Sequence, residues 1–351
     1  MAPALTPTPG HPLLNDLLKR VSRSFYLTLN VLPCSVRAPI GLAYLFARAA
    51  DTIADTDLID RGSRLLLLKR FKKQFAGEPV DWGEVRAIQT ALAPCQTASA
   101  ERTLLERLED CFRLYLDFVA EDRERIRTLM GTLTKGMEMD LTVFPGQTAQ
   151  ELAALPTMDE LDRYTYYVAG CVGEFWTAMT CAHRPALAGW NRAEMAAVGV
   201  RFGKGLQLTN ILKDLARDLQ RGRCYVPASL LKEAGLTPQD LLNKAHLQRV
   251  RPVLDKLVRM ALDHLDQGWL YTMAIPRWEV RLRLACMWPI LFAGATLQRL
   301  TSSPDWLDPS AALKISKGHV YRVMALTTLT GGCGYVGTAL WGRLRKQLGA
   351  C

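Results

Sequence analysis

Histidine is scarce, with five in 351 residues, and nine cysteines are scattered without a C-x-x-C pair or a Cys/His cluster at zinc spacing. That argues against a structural zinc site and against a disulfide framework. The residues around the cysteines are mostly apolar, which reads as reduced, buried thiols in a cytosolic protein. The opening MAPALTPTPGHPLL is proline-rich and lacks a basic segment followed by an apolar one, so no signal peptide is evident and residues 1–15 are expected to be flexible. Alternating strand patterns are also rare, no internal repeat is visible, and no stretch reads as an interdomain linker.

What is present is a globular composition, 49% hydrophobic and 22% charged, with a net charge of +10. Such a charge favours an anionic partner: a phosphate ester, a nucleic acid or an acidic membrane surface. The basic run KRFKK at 69–73 is the best argument for nucleic acid, but apolar Leu65 to Leu68 precede it and no helix-turn-helix or base-stacking pattern accompanies it. Nucleic acid is therefore not expected as a partner. Val320 to Trp341 is fairly apolar yet carries Arg322, several glycines and threonines, and then RLRK. The tail 320–351 reads as a core or interfacial helix rather than a spanning one, compatible with peripheral attachment to the inner face of a membrane. It also holds Gly332-x-Gly334-x-x-Gly337, formally a dinucleotide fingerprint. No strand precedes it and Cys351 follows 14 residues later, which leaves no room for a βαβ unit.

Helical spacing dominates. Thr157–Glu160 and Asn191–Glu194 resemble capping boxes, Thr237-Pro238 fits an N-cap followed by an N1 proline, and Gly222 and Gly235 fit helix ends. Breaks are expected near 77–83, 144–156, 183–191, 222–227 and 302–309. The economical reading is one all-α domain covering 1–351.

Two stretches carry chemistry. Projected on a helix, Pro39 to Thr56 places Tyr44, Arg48, Asp51 and Asp55 in one narrow stripe, while nearly everything else on it is apolar. A helix apolar almost all round is buried. Its polar stripe must line a cavity or find partners inside the protein. In GLQLTNILKDLARDLQRG, Gln207, Asn210, Asp214, Asp218 and Arg221 share one face opposite Leu208, Ile211, Leu212, Leu215 and Leu219. Paired aspartates at i and i+4 repel unless a cation lies between them. On this second helix Lys213, Arg217 and Arg221 could supply that charge as a surface network. Taken together, two D-x-x-x-D helices with oxygen donors only suit a hard cation, Mg²⁺ above all. Mg²⁺ keeps waters and completes its shell with substrate phosphates, so two such pairs could grip a diphosphate beside an apolar wall fit for a hydrocarbon tail.

At this point the chain resembles the squalene/phytoene synthase family, most closely its squalene-forming members. The blocks are VSRSFYLTLNVLP, YLFARAADTIADT, YTYYVAGCVGEFW, LQLTNILKDLARDLQRGRCYVP and, more weakly, ALKISKGHVYRVM, spanning Val21 to about Met324. The resemblance implies a single isoprenoid-synthase helical bundle around a central cavity. It implies Mg²⁺ (with Mn²⁺ as an alternative) and two molecules of farnesyl diphosphate, condensed head to head to presqualene diphosphate. A second, NADPH-dependent half would reduce and rearrange that intermediate to squalene; without it the product would be presqualene diphosphate, dehydrosqualene or phytoene.

Block by block, the resemblance makes Asp51, Asp55, Asp214 and Asp218 metal and diphosphate ligands. Arg23, Ser24 and Phe25 match a substrate-contacting segment with Arg23 on phosphate. Tyr44, Arg48, Gln207, Asn210 and Arg223 match other cleft residues, and Lys213 stands where a basic residue is common. Tyr167 matches the tyrosine linked to proton removal and cation handling, roles a phenol can fill through its oxygen and its ring. Small residues Ala169, Gly170 and Gly173 would allow close helix approach. Lys314 and Lys317, with Asn210, match residues associated with the reducing cofactor. In RLRLACMWPILFAG the sequence departs from the pattern of the eukaryotic squalene-forming members: Cys286 and Pro289 are kept, while Ala285 and Ile290 replace their outer partners.

Overall fold

The computed structural model describes residues 11–22, 26–56, 58–77, 79–332 and 334–349. Arg23, Ser24 and Phe25 lie outside the described residues, as do residues 1–10. Leu13–Leu17 forms a π-helical turn with Leu13, Leu14 and Leu17 buried, so the apolar part of the opening segment is core.

In chain order the first helices are α1 (Leu18–Ser22), α2 (Tyr26–Val31), α3 (Cys34–Asp55), α4 (Arg61–Ala76), α5 (Trp82–Leu92), α6 (Ser99–Glu106), α7 (Leu108–Leu116) and α8 (Ala120–Val143). There follow α9 (Met158–Thr165), α10 (Cys171–His183), α11 (Arg192–Gln220) and α12 (Ala228–Glu233). The last are α13 (Leu247–Ala274), α14 (Val280–Thr301), α15 (Lys317–Leu329) and α16 (Gly334–Gly349). Strand is limited, among the described residues, to a two-residue parallel bridge that pairs Ala153 with Arg223 and Ala154 with Cys224. The all-α reading holds.

The helices gather into two compact units. One comprises Met1–Leu141 and Glu174–Arg192, the other Thr142–Gly173 and Ala193–Cys351. The first is organised by an aromatic core: Phe46 of α3 meets Phe112 at 4.8 Å and Phe75 at 4.9 Å between ring centroids, with Phe71 and Tyr115 around them. All five rings are buried. Edge-on and tilted ring pairs at such spacings add to the burial itself. Because Phe46, Ala49, Ala50 and Ile53 all face inward, the rotation of α3 is fixed and so is the direction of its polar stripe. The KRFKK run dissolves in this core: Phe71 is fully buried and Lys72 pairs with Glu138 at 3.1 Å.

In the second unit α14 lies within α13, α15 and α16. Among the described residues it is the one helix long and apolar enough to cross a membrane, and 78% of its apolar window is buried inside the protein. Ala285, Cys286 and Ile290, where the sequence departs from or keeps the family pattern, are core residues of this helix. Pro289, in its interior, removes the backbone N–H that would have bonded Ala285.

The anticipated punctuation appears. Thr157 caps α9 by accepting from Glu160 N at 3.3 Å, and Thr237 with Asp240 forms a capping box on a short 3₁₀ turn. Gly222 and Gly235 adopt φ of 75° and 66°, the left-handed conformation that ends helices. At Gly222 a side chain is doubly excluded, because a Cβ would stand 2.9 Å from the Thr148 carbonyl oxygen. The glycine-rich tail is a helix–helix turn: Gly331 and Gly332 take φ of 59° and 66°, Gly334 opens α16, and Gly337 packs against Met287 and Trp269. α15 precedes it, not a strand. The seven described cysteines are free thiols; five are buried, and burial pushes Cys111 and Cys224 up to about 12. Cys34, at the start of α3, is exposed, contrary to the expectation of buried thiols throughout.

Candidate active site

On the first unit the polar stripe of α3 leaves the core in a gradient. Tyr44 and Arg48 are partly buried, Asp51 is 47% exposed through its side chain, and Asp55 ends the helix in the open. Arg48 organises the stripe. It donates through Nη1 to Asp51 at 3.0 Å and through Nη2 to Glu101 of α6 at 2.8 Å. Burial works against its charge, yet the Glu101 hydrogen bond and the charges of Asp51, Glu101 and Tyr44 outweigh it and hold the guanidinium above its ordinary pKa. Among the described residues its buried Nε finds no acceptor. The stripe thus finds partners within its unit at Arg48 and Glu101 and still reaches solvent at its carboxylate end.

The end of α3 is itself pinned. Arg64, 3% exposed on α4, donates to the Ala54 carbonyl at 3.0 Å, and Gln96 donates to Thr56 Oγ1 at 2.8 Å. These bonds satisfy carbonyl and hydroxyl groups that a helix end otherwise leaves to water. They fix the turn carrying Asp51 and Asp55.

On the second unit α11 repeats the arrangement. Leu208, Ile211, Leu212, Leu215 and Leu219 are buried, while Gln207, Asp214 and Asp218 lie partly open and Asn210 is exposed. Lys213 Nζ donates to Asn210 Oδ1 at 3.0 Å and pairs with Asp214 at 3.2 Å; Arg217 lies 3.8 Å from the same carboxylate. The surface network anticipated for this helix is therefore real around Asp214. Trp306, 2% exposed, donates its indole N–H to the Leu212 carbonyl at 2.9 Å and locks the loop after α14 onto α11. That loop completes a narrow cleft lined by Lys213, Arg217, Asp308 and Lys314. Hydrogen bonds from Ser310, then the Lys244 ammonium, hold the Asp308 carboxyl at about 2, so it is ionised there. Lys317 sits in the first turn of α15 and does not line the cleft. Arg223 is placed by the Ala153–Arg223 bridge, directly after the Gly222 turn.

Tyr167 occupies an element its sequence does not announce. Tyr166–Gly170 is π-helical, inserted between α9 and α10, and Tyr167 is half-buried in it. π-turns arise where packing forces an extra residue into a helix, frequently at functional sites. Here the force is visible. A Cβ on Gly203 of α11 would lie 2.2 Å from the Ala169 carbonyl oxygen, and one on Gly173 would lie 2.0 Å from the Gly199 carbonyl oxygen. Only glycine at both positions lets α11 press backbone to backbone against the turn. Lys204, paired with Asp162 at 2.6 Å, stands 5.9 Å above the Tyr166 ring and ties the two segments laterally.

Among the described residues no three His, Cys, Asp or Glu side chains gather as a ready-made metal cage. The donor chemistry nevertheless fits Mg²⁺. Asp51 and Asp214 are 47% and 32% exposed, every donor is an oxygen, and Mg²⁺ takes one or two carboxylates while keeping waters and phosphate oxygens. On the first unit a metal would compete with Arg48, and on the second with Lys213, cations that also match diphosphate. Glu101, which binds Arg48, and Trp306 and Asp308, which line the cleft beside Lys213, carry no signal in the sequence. Glu101 sits 53 positions from Arg48 with no spacing to betray it.

The sequence model of the family described as Squalene/phytoene synthase matches residues 18–319. A bifunctional lycopene cyclase/phytoene synthase of Colletotrichum graminicola is 28% identical over 254 residues, covering 72% of this chain and 40% of that protein. A squalene synthase of Gibberella zeae is 25% identical over 311 residues, covering 88% of this chain and 62% of its own length. The chain thus spans between two fifths and three fifths of these relatives. In fold it is similar to TcSQS, solved with the ligand E5700, with a TM-score of 0.75 at 22% identity over 96% of this chain and 90% of the other. With the family model matching residues 18–319, most of its length, the chain belongs to the squalene/phytoene synthase family.

Proposed function

We propose that the protein is a prenyltransferase that condenses two farnesyl diphosphates head to head to presqualene diphosphate and then, with NADPH, forms squalene. The observation that carries the reading is the pair of D-x-x-x-D turns, Asp51/Asp55 on α3 and Asp214/Asp218 on α11, within the family-matched stretch. Asp51, Asp55, Asp214 and Asp218 would hold Mg²⁺; the metal would supply Lewis-acid neutralisation of the leaving diphosphate. Arg48, Lys213 and Arg223 would take phosphate oxygens, and Tyr44, Gln207 and Asn210 would orient the substrate. Arg23, Ser24 and Phe25 keep the substrate-contacting role that the resemblance gives them. Tyr167 would steady the allylic cation with its ring and relay the proton lost on cyclopropane closure. Water must be kept from that cation, or it is quenched to an alcohol.

For the reductive half, Lys213, Arg217 and Lys314 would meet an anionic cofactor at a cleft that also holds the ionised Asp308, while Asn210 and Lys317, which the resemblance adds, lie outside its lining. A second reading is favoured by the phytoene synthase relatives and by Ala285 and Ile290: the enzyme releases presqualene diphosphate, dehydrosqualene or phytoene without a reductant. The buried free thiols suit a reducing, cytoplasmic setting. Incubation with farnesyl diphosphate and Mg²⁺, with and without NADPH, separates the readings. Squalene only when NADPH is present supports the first, and a product whose identity and yield NADPH does not change refutes it.

A further inference from the structure

Arg48 is one guanidinium shared by two carboxylates of opposite accessibility. On its own helix it donates through Nη1 to Asp51, three residues on and 47% exposed through its side chain. Through Nη2 it donates at 2.8 Å to Glu101 of α6, which is buried at 6% exposure. Glu101 is built to stay in place. It lies in the first turn of α6, where the helix dipole favours a carboxylate, and the turn after it is anchored by buried Leu104 and Leu105. Burial opposes the Arg48 charge, and among the groups that outweigh it the Glu101 hydrogen bond comes ahead of Asp51. The buried carboxylate is therefore the fixed partner of Arg48, and the open one is the partner it can exchange.

The exchange matters because two cations make a claim on Asp51. A hard metal ion takes carboxylate oxygens, and here it must take them from a guanidinium 3.0 Å away. With Asp51 as its only counter-charge, Arg48 would be left stranded on release, 29% exposed through its side chain and short of the water that could replace the carboxylate. Glu101 removes that penalty. The guanidinium keeps a charge-assisted hydrogen bond at Nη2 while Nη1 comes free, and a freed Nη1 can donate to a phosphate oxygen instead. Sharing one arginine between a buried and an open acid thus lets the open acid leave without moving the arginine.

We propose that Glu101 is a positioning residue that sets how readily Arg48 releases Asp51 to a divalent cation. The inference rests on the reading of Asp51 as a metal ligand. The test follows binding of a non-ionisable thio-analogue of farnesyl diphosphate to the full chain at stepped free Mg²⁺, with the analogue at a concentration that saturates each variant in excess Mg²⁺. The readout is the Mg²⁺ concentration at half-maximal binding, not turnover. Glu101→Gln keeps an acceptor of the same shape without the charge, so Arg48 falls back on Asp51. Half-saturating Mg²⁺ should rise ~5- to 10-fold, the difference between a charged and a neutral hydrogen-bond acceptor. Arg48→Met/Glu101→Gln removes the clamp together with its anchor. Its half-saturating Mg²⁺ should return to within ~2-fold of the wild type, although its grip on the diphosphate is weaker. Structural damage at the contact of α6 with α3 would instead raise both variants alike. If the wild type needs Mg²⁺ and Glu101→Gln has the same half-saturation, or if the double variant stays as high as the single one, this proposal alone is overturned. A wild type that binds the analogue equally well without Mg²⁺ overturns the metal reading and this proposal with it. The double variant strands no buried charge, so it decides the matter even where Glu101→Gln does not fold: half-saturation near that of the wild type supports the proposal, and a rise overturns it.

Discussion

Replacing Gly203 by alanine pits two effects of known size against each other. In a helix interior alanine is better than glycine by about 0.5–1 kcal/mol, because it restricts the unfolded chain. At Gly203 the new methyl would stand 2.2 Å from the Ala169 carbonyl oxygen and 2.7 Å from its carbon. Both are backbone atoms, so no rotamer change relieves the contact; α11 and the π-turn must separate by about an ångström. Overpacking of this kind costs about 1–3 kcal/mol. The clash wins, and at ~2–4 °C per kcal/mol the melting temperature should fall by several degrees. Gly131 on α8 is the control: nothing lies within 4 Å of its Cβ position, so Gly131→Ala should raise the melting temperature slightly. Turnover should fall further than stability in Gly203→Ala, since a 1 Å displacement of a group such as Tyr167 can cost ~10²-fold. Circular-dichroism melts and product assays on the two variants check this. A Gly203→Ala protein as stable and active as Gly131→Ala would refute the claim that glycine contact holds the tyrosine turn.

Asp51→Asn and Asp214→Asn should each abolish turnover while the helical spectrum persists, because each removes one ligand charge; near-normal rates in either would remove that residue from the site. Tyr167→Phe should impair cyclopropane formation more than farnesyl diphosphate binding, and a pure rise in KM would assign it to positioning instead. His264 is held at about 4 by burial and by the Arg201 and Lys204 charges. Its folded pKa lies below the unfolded value, so its contribution to stability is present above ~6.5 and is lost as pH falls toward 4. Melts between pH 7 and 4.5 should therefore drop more steeply in the wild type than in His264→Gln, and parallel slopes would contradict the assignment.

How much of this was legible in the sequence follows the range of the interactions. Local signals held well. The stripe of Tyr44, Arg48, Asp51 and Asp55, the leucine face of α11, the Thr157 cap and the Gly222 and Gly235 turns are set within a few residues of themselves, and the structure places them as read. Long-range choices were invisible. Nothing near Arg48 announces Glu101, and nothing in YYVAG announces a π-turn or the approach of Gly199 and Gly203, some 30 positions later, against it. The Ala153–Arg223 bridge is likewise too short for periodicity to register. Prolines 39, 252 and 289 lie inside helices that propensity alone would break there. At the site, the carboxylates proposed as ligands could be named from spacing, whereas the long-range partner of Arg48 depends on packing.

The most direct test is calorimetric titration with a non-ionisable thio-analogue of farnesyl diphosphate in the presence and absence of Mg²⁺. If Asp51/Asp55 and Asp214/Asp218 hold a metal–diphosphate, binding is tight only with Mg²⁺ and collapses in both Asp51→Asn and Asp214→Asn. Metal-independent affinity, or full affinity in either variant, contradicts it.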